Sequence, residues 1–183
     1  RTFTEITCHA RGACALFPGT RTLVDIGGQD SKVIRIESGV VVDFIMNDKC
    51  AAGTGRFLEV MVQAMELKLE DMGPTALKGR GRLRISSTCT VFAESEVISF
   101  VARGEPREEI LYAVHEAIAD RIEGMARRVG VEQEVTMSGG VSKNPAIVRA
   151  LEKRLGCSIN VSPDPQLVGA YGAALIALDS LLH

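Results

Sequence analysis

Thr22-Leu23-Val24-Asp25-Ile26-Gly27-Gly28-Gln29-Asp30-Ser31-Lys32-Val33-Ile34-Arg35-Ile36 is the stretch whose reading decides the fold. Thr22 to Ile26 is an apolar, β-rich run that stops at two glycines, and Lys32 to Ile36 alternates as a half-buried strand does. Ser38-Gly39 turns the chain and Val40 to Met46 returns, which makes three short strands of an antiparallel meander. The first turn carries chemistry. Asp25 ends a strand, and glycine at 27 and 28 lets backbone N–H groups come close to a phosphate while Asp25 would hold a magnesium ion through water. The same residues also make a tight β-turn with a solvated aspartate, and the turn alone does not choose. It is neither a Walker loop nor a Rossmann fingerprint.

About a hundred residues on, Glu134-Val135-Thr136-Met137-Ser138 reads as a strand running into Gly139-Gly140-Val141, with Asn144-Pro145 starting a helix to Leu155. A strand-to-helix junction of this kind suits an anion or a nucleotide, and it equally suits close packing of small residues. Two thiols sit in comparable small polar turns: Cys50, in Asn47-Asp48-Lys49-Cys50-Ala51-Ala52-Gly53-Thr54-Gly55, and Cys89, in Ser86-Ser87-Thr88-Cys89-Thr90. A helical pattern follows each, from Phe57 with Thr54 as N-cap and from Phe92 to Ala102, so each sulfur is expected near the positive end of a helix, where thiolate is favoured. Two thiolates are half of what a zinc or iron–sulfur site takes, a symmetric dimer would supply the other pair, and buried packing is the alternative.

Elsewhere, residues 1–20 read as the end of a helix and a turn, Gly73-Pro74 and Gly79-Arg80-Gly81 as a loop, and Leu83-Arg84-Ile85-Ser86 as a strand delivering Cys89. Pro106 opens a long amphipathic helix that runs to Val129, Ser158 to Val161 is the last strand, and Gln166 to Leu182 a small-residue-rich final helix. Cys8, Cys14 and Cys157 are packing residues, and His9 and His115 are lone histidines without a partner at ligand spacing. The 183 residues, 46% hydrophobic with a formal net charge of -2, allow one ordinary domain with at most a small second lobe. Charge balance and a 4% aromatic content give no footing for nucleic acid. The absence of a basic, apolar leader and of 18 consecutive apolar residues points away from a membrane and toward the cytoplasm, and five cysteines at scattered spacings argue against a disulfide framework.

From about Thr4 to Leu178 the chain resembles the ATP-dependent activators of 2-hydroxyacyl-CoA dehydratases, a family that also includes ATPase subunits of benzoyl-CoA reductase. Four segments carry the resemblance: Thr4 to Ala10, Val24 to Asp30, Met46 to Phe57, and Ser86 to Val97. It implies an α/β fold of the actin, Hsp70 and sugar-kinase class (ribonuclease H-like), in which two lobes close on ATP. The expected division is 1–20 as the remnant of a first lobe, 21–160 as the second lobe with the cysteine segments, and 161–183 packing back toward the first.

The resemblance implies catalytic roles for Asp25 and Gln29, and nucleotide contacts from Gly27, Gly28, Asp30, Ser138, Gly139, Gly140, Val141 and Asn144. It implies that Cys50 and Cys89 hold a [4Fe-4S] cluster shared between two identical subunits, with ATP/ADP and Mg2+ as further cofactors. The implied activity is ATP-driven transfer of a low-potential electron to a 2-hydroxyacyl-CoA dehydratase or related acyl-CoA reductase, with ferredoxin or flavodoxin as donor. Family members open on an Asp-x-Gly-Ser/Thr turn that completes the phosphate clamp. None precedes Arg1, so the expectation is a first lobe that is truncated, disordered or separately encoded, and no ATP turnover by these residues alone. A small-molecule kinase of the same fold, such as an amino-sugar kinase, and a nucleotide-sensing scaffold are the competing readings.

Overall fold

The computed structural model describes residues 2–86 and 89–182. Its centre is one five-stranded sheet of order β3-β2-β1-β4-β5. β1 (Thr22–Ile26), β2 (Ser31–Glu37) and β3 (Val40–Asn47) form the expected antiparallel meander, with Asp25 opposite Lys32 and a register shift at Arg35/Ile36. β4 (Val135–Ser138) and β5 (Ile159–Val161) add in parallel, so that Asp25 lies beside Ser138. That pairing brings the two glycine turns to the same end of adjacent strands. β1 and β4 are buried along their whole length, as strands covered on both faces must be.

One face packs against α5 (Arg107–Val129), a 23-residue helix with Glu108 and Glu109 in its first turn and Arg127 and Arg128 in its last, both favourable to the helix dipole. Ile110, Leu111, Val114, Ile118 and Ile122 of α5 join Val24, Ile26, Val33 and Met137 of the sheet in the main core. The other face packs against α1 (Glu5–Leu16) in a smaller cluster of Ala10, Ala13, Leu23, Ile34, Ile36 and Val168. α7 (Val168–Leu182) lies along α1 so closely that a Cβ at Gly172 would stand 1.8 Å from the Cys8 carbonyl oxygen. Small residues make this approach possible.

Four readings change. Residues 5–16 are a complete helix with Thr4 as its cap, the Thr4 hydroxyl accepting from Thr7 N–H. Gly73 and Pro74 lie inside a helix, α3 (Leu69–Ala76), where glycine is required because a Cβ would come 2.5 Å from the Asn144 side-chain oxygen. Residues 82–86 form no strand. Arg80 and Arg82 donate their amides to the buried Glu109 carboxylate at 3.0 and 2.9 Å, and those bonds replace a sheet ladder. Finally, Pro165–Leu182 has the length and the mean hydropathy (1.3) of a membrane span, which the search for an unbroken apolar run missed. Arg11 donates to Asp179 at 3.1 Å, so this helix carries a charge that α1 pairs.

Candidate functional site

The hairpin between β1 and β2 is closed by Gly27 N–H donating to the Asp30 carbonyl at 2.9 Å, which leaves Gly28 and Gln29 exposed at its tip. Beneath it Asp25 is buried with both carboxylate oxygens engaged: Ser138 Oγ donates to Oδ1 at 2.6 Å, and Lys32 Nζ lies 3.4 Å from Oδ2. The Lys32 side chain is 1% exposed, and its ammonium also reaches Asp30 at 2.9 Å and Glu5 at 3.0 Å. Burial works against that ammonium, but the hydrogen bonds to Asp30 and Glu5 and the charges of Asp25 and Asp30 outweigh it and raise its pKa above the ordinary lysine value.

His9 completes this group. Its Nδ1 is 3.4 Å from Asp25 Oδ1 and 3.5 Å from Ser138 Oγ, and its Nε2 is 3.5 Å from Glu5. Ligand atoms of Glu5, His9 and Asp25 all lie within 4.8 Å of one another, a spacing a metal ion would accept. Lys32 Nζ stands beside two of the three, 3.0 Å from Glu5 and 3.4 Å from Asp25. Sequence reading passed over Glu5, His9 and Lys32. Their signals were the four-residue spacing of Glu5 and His9 on one helix face, and a lysine in phase with Ile34 and Ile36 on an otherwise apolar strand face.

The second glycine turn closes against the first. Gly139 has φ +85, and a Cβ there would lie 2.3 Å from the Ile26 carbonyl oxygen, so only glycine lets β4 end this close to β1. Asn144 caps α6 (Pro145–Leu155), its Oδ1 accepting from Ala146 and Ile147 N–H at 3.0 and 3.4 Å. Of the implied nucleotide contacts, Gly28, Gly140, Val141 and Asn144 line a single open cavity of about 900 Å³, whose far wall is α3 with Leu69, Glu70 and Gly73. Lys68, Lys143 and Gln166 line it too, with Lys143 donating to Gln166 at 2.8 Å. Asp25 and Ser138 lie buried below, Asp30 is held by Lys32, and Gln29 stands at the exposed tip.

The hairpin is bonded directly to the segment that carries Cys50. α2 (Gly55–Ala64) begins with Gly55 N–H donating to the Gly27 carbonyl at 2.8 Å and Arg56 N–H to the Gly28 carbonyl at 2.7 Å. The start of this helix therefore engages the hairpin, where the sequence reading had aimed it at the sulfur. Thr54 occupies the cap position, but its hydroxyl donates to Ala51 O at 2.7 Å. The Cys50 loop is clamped by Asn47, whose Nδ2 donates to the carbonyls of Cys50 and Ala52, both at 2.9 Å, while Arg121 of α5 donates to Asn47 Oδ1 at 3.3 Å. Cys50 is half-buried. Cys89 is exposed and is the cap residue of α4 (Thr90–Ala102), next to Val91 and Phe92, which are 65% and 64% exposed. Ser87 and Thr88, which complete the second cysteine turn, lie outside the described residues.

Residues 1–177 match the model of the BadF/BadG/BcrA/BcrD ATPase family. The (R)-2-hydroxyglutaryl-CoA dehydratase activating ATPase of Acidaminococcus fermentans is 50% identical over 173 residues, which are 94% of this chain and 66% of that protein. The crystal structure of component A of the same dehydratase superposes with a TM-score of 0.96 at 48% identity, covering 99% of this chain and 70% of the other. The activator of the 2-hydroxyisocaproyl-CoA dehydratase from Clostridium difficile, solved with bound ADPNP, superposes at 0.94 with 46% identity, covering 97% and 67%. The chain thus spans about two thirds of the length of these relatives. With its glycine turns meeting over Asp25 and a family match along nearly all its length, this chain belongs to the BadF/BadG/BcrA/BcrD ATPase family.

Proposed function

We propose that this chain is the nucleotide- and thiol-bearing part of an ATP-hydrolysing activator that delivers a low-potential electron to a 2-hydroxyacyl-CoA dehydratase. One observation carries the reading: the carbonyls of Gly27 and Gly28 bond to the first two amides of α2, which ties the hairpin over Asp25 to the segment that follows Cys50. A relative that superposes at 0.94 was solved with ADPNP, which supports ATP as the occupant of the cavity bounded by Gly28, Gly140 and Asn144.

In this reading, exposed amides of the hairpin tip contact the phosphates, and Asp25 orients magnesium-bound water. Lys32 places a positive charge 3.4 Å from the Asp25 carboxylate and holds its position. Gln29, at the exposed tip, positions the attacking water; Asp30 fixes Lys32; Ser138 and Gly139 hold the second turn against the first. A shift of the hairpin on hydrolysis is passed to Gly55 and Arg56 and so to the Cys50 loop.

The family resemblance implies an iron–sulfur group. Cys50, half-buried in the loop before α2, and Cys89, the exposed cap residue of α4 beside uncovered apolar side chains, are free thiols, which fits half of a site completed by a second copy. When bound, a [4Fe-4S] cluster would supply one-electron transfer. Ferredoxin or flavodoxin fits as donor, and the free thiols fit the cytoplasm. We also carry forward the division into 1–20, 21–160 and 161–183, supported by the packing of α1 and α7 against each other.

The test is anaerobic purification of the complete protein with iron and sulfide analysis, alongside ATPase assays. Wild type should hold iron and Cys50→Ser should lose it, while Asp25→Ala should abolish hydrolysis with iron retained. A wild type without iron ends the electron-transfer reading in favour of a kinase, and undiminished hydrolysis by Asp25→Ala removes Asp25 from the site.

A further inference from the structure

His115 lies in the middle of α5, 2% exposed and far in sequence from every glycine turn. Its Nδ1 is 2.7 Å from the Leu111 carbonyl, which can only accept, so Nδ1 carries the proton. Its Nε2 is 2.9 Å from Asn144 Nδ2. The amide orientation of Asn144 is fixed independently, because Oδ1 accepts from the amides of Ala146 and Ile147. Nδ2 therefore faces the ring as a donor, and Nε2 accepts. Both ends of the Asn144 side chain are thus committed, one to the start of α6 and one to α5. α3 presses against the same side chain, where any Cβ at position 73 would stand 2.5 Å from Oδ1 and 2.8 Å from the Pro145 ring.

We propose that His115 is a positioning residue for the nucleotide: through Asn144 it sets the wall that Asn144, Pro145 and Gly73 present to the cavity. This deepens the reading of that cavity as the ATP site and rests on it. The ring does not line that cavity. It removes the rotamer freedom of Asn144, so the wall is formed before the nucleotide arrives and binding does not have to order it. Histidine suits the position because its neutral ring offers one donor and one acceptor on opposite sides, matched to a carbonyl on its own helix and an amide on the next.

Two substitutions separate positioning from bulk stability. His115→Asn can donate to Leu111 O as Nδ1 does but is too short to reach Asn144. His115→Gln places an acceptor near the Nε2 position and gives up the Leu111 bond. Each loses one hydrogen bond and the shorter asparagine also leaves the larger void, so both melting temperatures should fall, that of His115→Asn further, and the affinities are compared at a temperature well below both midpoints. Calorimetric titration of the complete protein with ADP and magnesium should show affinity about tenfold weaker in His115→Asn, and within about threefold of wild type in His115→Gln. Nitrogen-15 NMR of wild type should show the Nδ1–H tautomer.

Equal affinity of His115→Asn and wild type, or an Nε2–H tautomer, overturns this inference and leaves the ATP site standing. A wild type that binds no ADP overturns the ATP site and this inference with it.

Discussion

The floor around Asp25, beneath the two glycine turns, and the rim that carries Cys89 are built on opposite principles. Around Asp25 the polar groups bond one another: buried Ser138 on one oxygen, buried Lys32 on the other, and half-buried His9 and Asp30 alongside. Around Cys89 the thiol, Val91 and Phe92 face outward. A buried ionic group costs several kcal/mol when a partner is removed, whereas an exposed side chain at a helix start costs little. The floor is therefore sensitive to substitution in its own right, and the rim only through whatever covers it.

Four measurements test that contrast. Gly139→Ala forces a side chain into a φ of +85 and against the Ile26 carbonyl, and should cost at least about 4 kcal/mol in urea unfolding or prevent folding. A loss under about 1 kcal/mol would mean the two glycine turns are not locked together.

Lys32→Met leaves the buried Asp25 without its cation and should cost about 3 kcal/mol at neutral pH. The raised pKa of Lys32 fixes the sign of the alkaline effect. Its stabilisation is fully present below the unfolded value of 10.5 and is lost as pH rises through the folded value, so wild type and Lys32→Met should converge in alkali.

The third effect is smaller and acidic. Burial, the largest cause, holds His115 below the ordinary 6.5, against the opposing bonds to Leu111 and Asn144 and the nearby charge of Glu116. The unfolded chain then binds the proton first, and the stability this residue contributes is present above about 6.5 and lost as pH falls below it. His115→Gln should flatten the melting temperature between pH 7 and 5, while an unchanged slope would assign the acid loss to other groups.

Cys89→Ser should move stability by less than about 0.5 kcal/mol while removing iron from the anaerobically purified protein. A cost like that of Lys32→Met would show the rim to be as self-contained as the floor, and the contrast would fail.

Part of the fold and site was legible because it rests on local patterns. Alternation gave the meander of β1 to β3, the 3.6-residue period with Pro106 and Gly130 gave α5, and Asn144-Pro145 marked the start of α6. α3 was hidden because Gly73-Pro74 reads as a breaker. The glycine is there for contact with Asn144, a residue 71 positions away whose proximity no local pattern encodes. His9 and His115 looked solitary for the same reason. Their partners, Asp25 and Ser138 for one and Asn144 for the other, come from other elements. The apolar α7 was missed as a span-length helix because small and polar residues interrupt it, and those are the residues that seat it on α1.

By itself the sequence determined the strands β1 to β5, the long helix and the two glycine turns, since backbone preference and periodicity act over a few neighbours. Tertiary structure alone decided that the glycine turns close over one buried Asp25, that Lys32 and Ser138 each engage one of its oxygens, and that the start of α2 bonds the hairpin. Those contacts depend on the parallel pairing of β1 with β4 across more than a hundred residues, and burial, which sets their energies, exists only once the sheet and its helices are assembled.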